Sequence, residues 1–166
     1  NQFESHYYST QNENFNYNSR ALIESLDKRK LYVAPDRSEG LQIFDRNTKT
    51  WELVPISKEL ANEYGALDAQ DMIRLQDGRI ILGGNNELYE FLEKEKRIVR
   101  FLPQLDLRDP FIRRMVQDSS GYLWIATRRK GLFKVDPNSG QSWQYDQEFE
   151  LSHTTTRHRW MEMIFV

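Results

Sequence analysis

The chain has 166 residues, a formal net charge of −2 at neutral pH and no cysteine. The absence of cysteine excludes disulfides, a thiolate zinc site and a cysteine nucleophile, and the small net charge argues against a nucleic-acid partner. Aromatic residues make up 13% and charged residues 29%, as in ordinary globular domains, and no apolar run is long enough to span a bilayer, so this segment is not expected to contact a membrane directly.

Residues 1–18 predict the end of one structural unit followed by a loop. Phe3 to Tyr8 alternates as an outer strand does, so we interpret residues 1–10 as the outer strand of a preceding sheet. Residues 11–18 are polar and rich in asparagine, which is typical of a loop.

Residues 19–54 predict a four-stranded antiparallel sheet. Short runs of aromatic and β-branched residues separated by turn-forming residues are typical of a meander. The runs centre on Leu22, Leu31–Ala34, Gly40–Asp45 and Trp51. After this unit, residues 57–65 have a serine, then helix-forming residues and a closing glycine, so we expect one or two helical turns there.

The same unit recurs over residues 69–102 and again over residues 112–145. Gly121–Thr127 aligns with residues 78–84 without a gap. Repeats of roughly 40 to 50 residues with four short strands each are typical of β-propeller blades. The sequence therefore predicts an all-β fold, a partial β-propeller of about three four-stranded antiparallel blades with one extra strand at each end.

The C-terminal residues predict the second of these extra strands. Residues 160–164 repeat the apolar spacing of residues 112–116, so residues 160–166 are expected to form the inner strand of a following blade. Three blades and two single strands cannot close a ring, and an open ring exposes the face of a sheet. We therefore expect the neighbours to be the remaining blades of a larger propeller or other copies of this chain.

The third unit resembles the two-component regulator propeller repeat. The resemblance rests on the turn Asp118–Gly121, the strand Leu123–Thr127, the pair Gly131–Leu132, and Trp143 and Tyr145 in the outer strand. The first unit retains part of this motif, and the second retains less. The resemblance implies a periplasmic or otherwise extracytoplasmic sensor propeller of a bacterial two-component system. It also implies a carbohydrate-like ligand and a histidine kinase elsewhere in the parent protein.

A basic cluster is the strongest candidate binding site. Residues 108–134 contain seven basic residues and two acidic ones. In a propeller the start of the inner strand and the end of the second strand lie at the same face, so five of these cations are expected to converge: Arg113, Arg114, Arg128, Arg129 and Lys130. Because the guanidinium group pairs bidentately with carboxylate, sulfate or phosphate, we expect an anionic ligand, and the resemblance adds an oligosaccharide as a possible ligand. The alternative is that three consecutive cations at the tip of a turn are simply solvated.

Aromatic residues outside the repeat positions are further candidates. Tyr64 and Phe111 belong to or border the connections between blades, whereas Tyr32, Trp124 and Trp143 occupy repeat positions where packing is expected. The three histidines are too scattered for a metal site, and no phosphate-binding or nucleophile motif is present. We therefore expect no metal, no cofactor and no catalytic residue in this segment, although Asp68 and Asp71 are close in sequence.

Three functions remain open at this point. The first is a non-catalytic ligand sensor, which predicts a polar loop face. The second is a protein-interaction platform without a small ligand, which predicts an exposed apolar patch. The third is a propeller enzyme such as a lyase or glycosidase, which needs clustered carboxylates or a metal site near the ring centre.

Overall fold

The structure, a computed structural model, describes residues 18–85, 87–105, 107 and 111–145. The strands expected at residues 1–10 and 160–166 lie outside these ranges. The described residues form twelve strands and one helix, in this order: β1 (Ser19–Glu24), β2 (Lys30–Pro35), β3 (Gly40–Asp45), β4 (Thr50–Pro55), α1 (Lys58–Tyr64), β5 (Ala69–Arg74), β6 (Ile80–Gly84), β7 (Leu88–Leu92), β8 (Arg97–Phe101), β9 (Ile112–Gln117), β10 (Leu123–Thr127), β11 (Leu132–Val135) and β12 (Ser142–Tyr145).

The strands form three separate antiparallel sheets, each a meander in which consecutive strands pair. We call them blade 1 (β1–β4), blade 2 (β5–β8) and blade 3 (β9–β12). The repeated segments Leu31–Ala34, Ile80–Gly83 and Leu123–Ala126 lie in the second strand of their blades. The all-β propeller architecture predicted from the repeat is therefore confirmed.

Aspartates close the turns that the repeat places between strands. Each turn from a first to a second strand contains an aspartate whose carboxylate accepts the backbone N–H two residues further on: Asp27, Asp77 and Asp118. In the turn after the third strand, Asp45 and Asp136 accept backbone N–H groups in the same way. Such turns organise the chain locally, since the side chain replaces a missing backbone acceptor.

Two apolar cores join the three blades. Blades 1 and 2 share a core in which the rings of Tyr32 and Phe91 meet edge to face, with their centroids 5.3 Å apart. Blades 2 and 3 share a second core that includes Ile81, Met115 and Ile125. The packing role expected for Tyr32 is confirmed, because its side chain is only 2% exposed.

Gly83 permits the close approach of blades 2 and 3. A Cβ atom at Gly83 would lie 2.7 Å from Cγ2 of Ile112 and 3.1 Å from Cε of Met115. Carbon atoms in contact prefer about 3.5–4.0 Å. The missing side chain therefore lets the inner strand of blade 3 pack directly on the second strand of blade 2.

The helix α1 lies in the connection between blades 1 and 2, where the sequence predicts helical turns. Ser57 is its N-cap and accepts the backbone N–H of Leu60 at 3.2 Å, and Gly65 ends the helix at a positive φ of 76°. Leu60 is the buried residue of the helix and packs into the core shared by blades 1 and 2.

Candidate functional site

One end of the three blades gathers the starts of the first strands, the loops after the second strands and the connections between blades. We call this end the loop face. Alternation of strand direction in each meander places these segments together. Among the described residues, the large exposed apolar side chains lie in a turn at the opposite end or on sheet faces: Leu22, Leu26, Val116, Trp143 and Tyr145. The described part of the loop face is mainly polar, with Tyr145 exposed beside it at the end of β12.

A β-bulge interrupts the first strand of every blade at the loop face. In each case the pairing register shifts around the second residue of the strand, which is Arg20 in blade 1, Gln70 in blade 2 and Arg113 in blade 3. Bulges redirect side chains and are common beside active sites. The repeat thus presents one long polar side chain per blade at the same place, a signal that strand patterns in the sequence did not reveal.

Between blades 1 and 2 the loop face holds a network of hydrogen bonds. Arg20 donates to Asp36 at 2.9 Å and to Gln70 at 3.2 Å. Gln70 donates to Asp68 at 2.7 Å, and Asn85 donates to the other oxygen of Asp68. Burial, together with the neighbouring Asp36 carboxyl, raises the pKa of Asp68. The network engages both carboxylates and links the two blades.

Asp71 faces the other interface, so it does not form a carboxylate pair with Asp68. Its Oδ2 accepts the backbone N–H of Met115 at 2.6 Å, and its Oδ1 lies 3.3 Å from a guanidinium nitrogen of Arg114. Burial raises the pKa of Asp71 despite these two contacts. Arg114, one of the expected ligand-binding cations, is therefore already paired with a carboxylate of blade 2.

Two further cations of blade 3, Arg128 and Arg129, lie at the same aromatic ring. The backbone N–H of Arg128 donates to the carbonyl of Phe111 at 2.9 Å, which fixes the loop after β10 against the start of β9. The guanidinium carbons of Arg128 and Arg129 lie 5.9 and 5.4 Å from the centre of the Phe111 ring. Arg113 occupies the adjacent bulge, and no described residue forms an ion pair with it.

Lys130 completes this loop. Its backbone N–H donates to Thr127 at 3.0 Å and its carbonyl accepts from Gln144 at 3.0 Å. Its side chain is exposed. We call Phe111, Arg113, Arg128, Arg129 and Lys130 the basic site.

Tyr64 lies in a different part of the loop face, at the end of α1. Its hydroxyl lies within hydrogen-bonding distance of the carboxylates of Glu63 and Glu87, and the guanidinium carbon of Arg100 lies 5.6 Å from its ring centre. Burial and the two carboxylates raise the pKa of Tyr64. The structure thus brings Phe111 into the basic site and places Tyr64 in a separate cluster on blade 2.

The described residues contain no group of histidine, cysteine, aspartate or glutamate side chains arranged to hold a metal ion. The three histidines lie outside the described ranges. No helix in the described part of the chain is long and apolar enough to cross a membrane.

The sequence of the third blade matches a family model. Residues 106–129 match the model of the two component regulator propeller. The match includes the turn at Asp118, the strand β10 and part of the basic site, which agrees with the resemblance found in the sequence. No curated protein matches this chain significantly in sequence.

Solved structures share the fold of this repeat. One is the extracellular domain of a protein described as a hybrid two component system from Bacteroides thetaiotaomicron, with a TM-score of 0.58 at 20% identity, over 82% of this chain and 18% of that one. Another is an auxiliary nutrient binding protein from Bacteroides ovatus, with a TM-score of 0.55 at 14% identity, over 75% of this chain and 30% of that one.

A third similar structure is virginiamycin B lyase from Staphylococcus aureus, with a TM-score of 0.60 at 12% identity, over 80% of this chain and 42% of that one. At such identities the likeness establishes the β-propeller fold and not the chemistry. The chain spans less than half the length of each of these three structures.

Proposed function

We propose that this chain is part of an extracytoplasmic ligand-sensing β-propeller in a two-component signalling receptor. The two-component regulator propeller repeat in blade 3 and the fold shared with an extracellular two-component domain support this proposal. In that setting the segment binds a ligand and carries no catalysis. A histidine kinase elsewhere in the receptor supplies the output.

The basic site is the ligand contact that we propose. The observation that carries it is the convergence of Arg128 and Arg129 on the ring of Phe111 beside the bulge at Arg113. Guanidinium groups donate paired hydrogen bonds to carboxylate or sulfate, and an aromatic ring packs against the apolar face of a sugar. An acidic oligosaccharide offers both features, and we propose this class of ligand.

The equivalent positions in the other blades favour blade 3 as the contact. The residue directly after the second strand is Asp36 in blade 1, Asn85 in blade 2 and Arg128 in blade 3. Asp36 and Asn85 are engaged in the hydrogen-bond network around Asp68 or Arg20. Among the described residues no carboxylate forms an ion pair with Arg113 or Arg128, which supports blade 3 as the contact for an anionic ligand.

Calorimetric titration of matched acidic and neutral oligosaccharides tests this function. We expect the acidic members to bind more tightly and Arg113→Ala/Arg129→Ala to weaken them at least tenfold, since a hydrogen bond to a charged group contributes about 1.5–3 kcal/mol. The control, Lys94→Ala/Arg97→Ala, removes two exposed cations at the other end of blade 2. Equal binding by native protein and site variant would overturn the proposed site.

A further inference from the structure

The ion pair between blades 2 and 3 joins a buried carboxylate to an exposed guanidinium group. The side chain of Asp71 in β5 is 8% exposed, whereas that of Arg114 in β9 is 63% exposed. One contact of 3.3 Å holds them together, although hydrogen bonds between a guanidinium and a carboxylate are usually about 2.7–2.9 Å long. Arg114 is therefore loosely held, and Asp71 takes only part of its capacity as a donor.

Arg114 also lies beside the basic site. It directly follows Arg113, and its partner in strand pairing is Ala126 in β10. Ala126 comes two residues before Arg128, which corresponds to about 7 Å along a strand. The backbone N–H of Arg128 in turn donates to the carbonyl of Phe111 at 2.9 Å. The guanidinium group of Arg114 is thus within the length of its side chain of an anion bound at the basic site.

Asp71 keeps a hydrogen bond when Arg114 moves away. Its Oδ2 accepts the backbone N–H of Met115 at 2.6 Å, and a neutral carboxyl group accepts such a bond through its carbonyl oxygen. Burial raises the pKa of Asp71, while the Met115 N–H and the charge of Arg114 lower it. Departure of Arg114 therefore removes a stabilising cation from the charged form of Asp71 and leaves the cost of burial in place.

Within the described chain, Arg114 is the charged side chain that acts on Asp71. In β6 the residue opposite Asp71 is Gly83. Its neighbours in β5 are Gln70 and Met72, which carry no charge. From β9 the other contact is the uncharged backbone N–H described above. The charge of the buried carboxylate therefore depends on where the guanidinium group of Arg114 lies.

We propose that Arg114 is exchanged between Asp71 and the anionic ligand, and that Asp71 takes up a proton when the ligand takes Arg114. The proton comes from solvent and adds to one carboxylate oxygen, so the exchange leaves a neutral carboxyl group between blades 2 and 3. Asp71 thereby determines specificity, because it competes with the ligand for Arg114 and admits only an anion that binds this guanidinium group more strongly. This inference rests on the proposed function, since it requires an anion at the basic site.

The exchange makes the affinity for an anion depend on pH in one direction. The pKa of Asp71 is higher in the ligand-bound protein than in the free protein, so the proton is taken up between these two values. As the pH falls through this range, the affinity rises by up to about tenfold per pH unit for one proton. The affinity is constant above and below the range, and in Asp71→Asn the dependence disappears.

NMR titration of the Asp71 carboxyl carbon with inorganic sulfate as the probe tests the exchange. Relative to sodium chloride at the same ionic strength, we expect sulfate to raise the pKa of Asp71 by about 1 unit, the lower end of the effect of an adjacent arginine. In Arg114→Ala the same comparison should show no change. Glu90, a carboxylate of blade 2 whose pKa is also raised by burial, is the internal control. An Asp71 pKa that is equal in the two salts would overturn the proposal.

The affinity for sulfate provides a second measurement. Above the Asp71 pKa we expect Asp71→Asn to bind sulfate about fivefold more tightly than the native protein, or more, as for two coupled groups. The matched control Glu90→Gln replaces another carboxylate of blade 2 by an amide and should bind as the native protein does. Equal or weaker binding by Asp71→Asn would contradict a competition for Arg114.

Backbone amide resonances in the same samples separate this inference from the proposed function. Sulfate at the basic site should shift the amide resonances of Arg128 and Lys130. If these resonances shift while the pKa of Asp71 stays constant, the exchange is wrong and the basic site stands. If neither responds, the basic site binds no anion and both proposals are wrong.

Discussion

At the scale of single residues, Asp118 shows why the repeat motif contains both an aspartate and a tryptophan. One carboxylate oxygen accepts the backbone N–H groups of Ser120 and Tyr122, and the other accepts the indole N–H of Trp124 at 2.7 Å. In blade 2 the aspartate is kept as Asp77, but Ile81 replaces the tryptophan. The motif in blade 3 therefore ties the turn to the second strand through a side-chain hydrogen bond.

These contacts predict that the Asp118 carboxyl group titrates at a lower pH than an ordinary aspartate. The hydrogen bond from Trp124 lowers the pKa of Asp118, with backbone donors adding to the effect. Because the folded-state pKa is depressed, the stabilisation is complete above the ordinary aspartate value of about 3.9 and is lost as the pH falls through the lower, folded-state pKa. We expect the indole N–H resonance of Trp124 to shift below pH 3.9, and to show no such shift in Asp118→Asn.

The resonance of Trp143 provides the internal control for that titration. Its ring contacts Tyr122, not Asp118. A midpoint for Trp124 above the ordinary aspartate pKa would contradict the assignment of the hydrogen bond.

Asp71 illustrates a buried carboxylate that joins two blades. It is 6% exposed and supplies the acceptor for the backbone N–H of Met115. Replacing it by alanine leaves that N–H buried and unpaired, which costs about 1–3 kcal/mol. We expect Asp71→Ala to lower the free energy of unfolding by this amount in urea denaturation, and the exposed control Glu95→Ala to change it by less than about 0.5 kcal/mol.

Comparing how the free energy of unfolding depends on pH in the native protein and in Asp71→Asn tests whether burial raises the pKa of Asp71. Burial raises the folded-state pKa of Asp71 above its unfolded value. The folded protein therefore binds the Asp71 proton more tightly than the unfolded chain does. As the pH falls from the folded-state pKa to the unfolded-state pKa, the free energy of unfolding of the native protein increases relative to that of Asp71→Asn. A constant difference in unfolding free energy over this range would show that the pKa of Asp71 is not raised.

At the scale of elements, the spacing between blades depends on small residues in the second strands. Pairing with the first strand places Ala34, Gly83 and Ala126 at equivalent positions. Gly83 is the smallest of the three, and it faces Ile112 and Met115. The size of residue 83 therefore limits how closely β9, the first strand of blade 3, can approach blade 2.

The substitution Gly83→Ala tests this limit, because the two possibilities predict opposite changes in stability. Without a clash, replacing glycine by alanine in a strand stabilises a protein by about 0.4–1 kcal/mol. The contact with Ile112 predicts the opposite, a destabilisation of about 1–3 kcal/mol from overpacking. Thermal unfolding measures the difference, and the effect should largely disappear in an Ile112→Ala background. A stabilised Gly83→Ala protein would show that the blades separate at little cost.

At the scale of the whole molecule, blade 2 is the best-covered part of the described structure. Its two faces contribute to both cores, whereas blades 1 and 3 each contribute one face to a core. In arrays of repeats, stability comes from each unit and from the interfaces with its neighbours. We therefore expect amide hydrogens of β6 and β7 to exchange more slowly than those of β2, β3, β10 and β11.

Hydrogen exchange followed by mass spectrometry of peptic fragments measures this gradient. Fragments of β6 and β10 are matched for length, since each strand is a second strand of five residues. Equal protection of the three blades would contradict the expected gradient.

The strand pattern was readable from the sequence because each strand is short and bounded by its own turn residues. Local side-chain chemistry at Asp27, Asp118 and Asp136 decides the turns, and the alternation of apolar residues decides which face is buried. The helix α1 was predicted for the same reason, since Ser57 and Gly65 cap it with contacts within the connection. The convergence of Arg128 with Phe111 also follows from strand direction, which the repeat determines.

Contacts between blades were not readable, because they join residues far apart in sequence. The pairing of Asp71 with Arg114, the network around Asp68 and the carboxylates that bind Tyr64 all depend on how one blade packs on the next. The sequence alone thus determined three similar sheets and the end of each sheet where polar residues collect. Only the tertiary structure decided which charges neutralise one another, because that depends on packing distances of a few ångströms that no local pattern encodes.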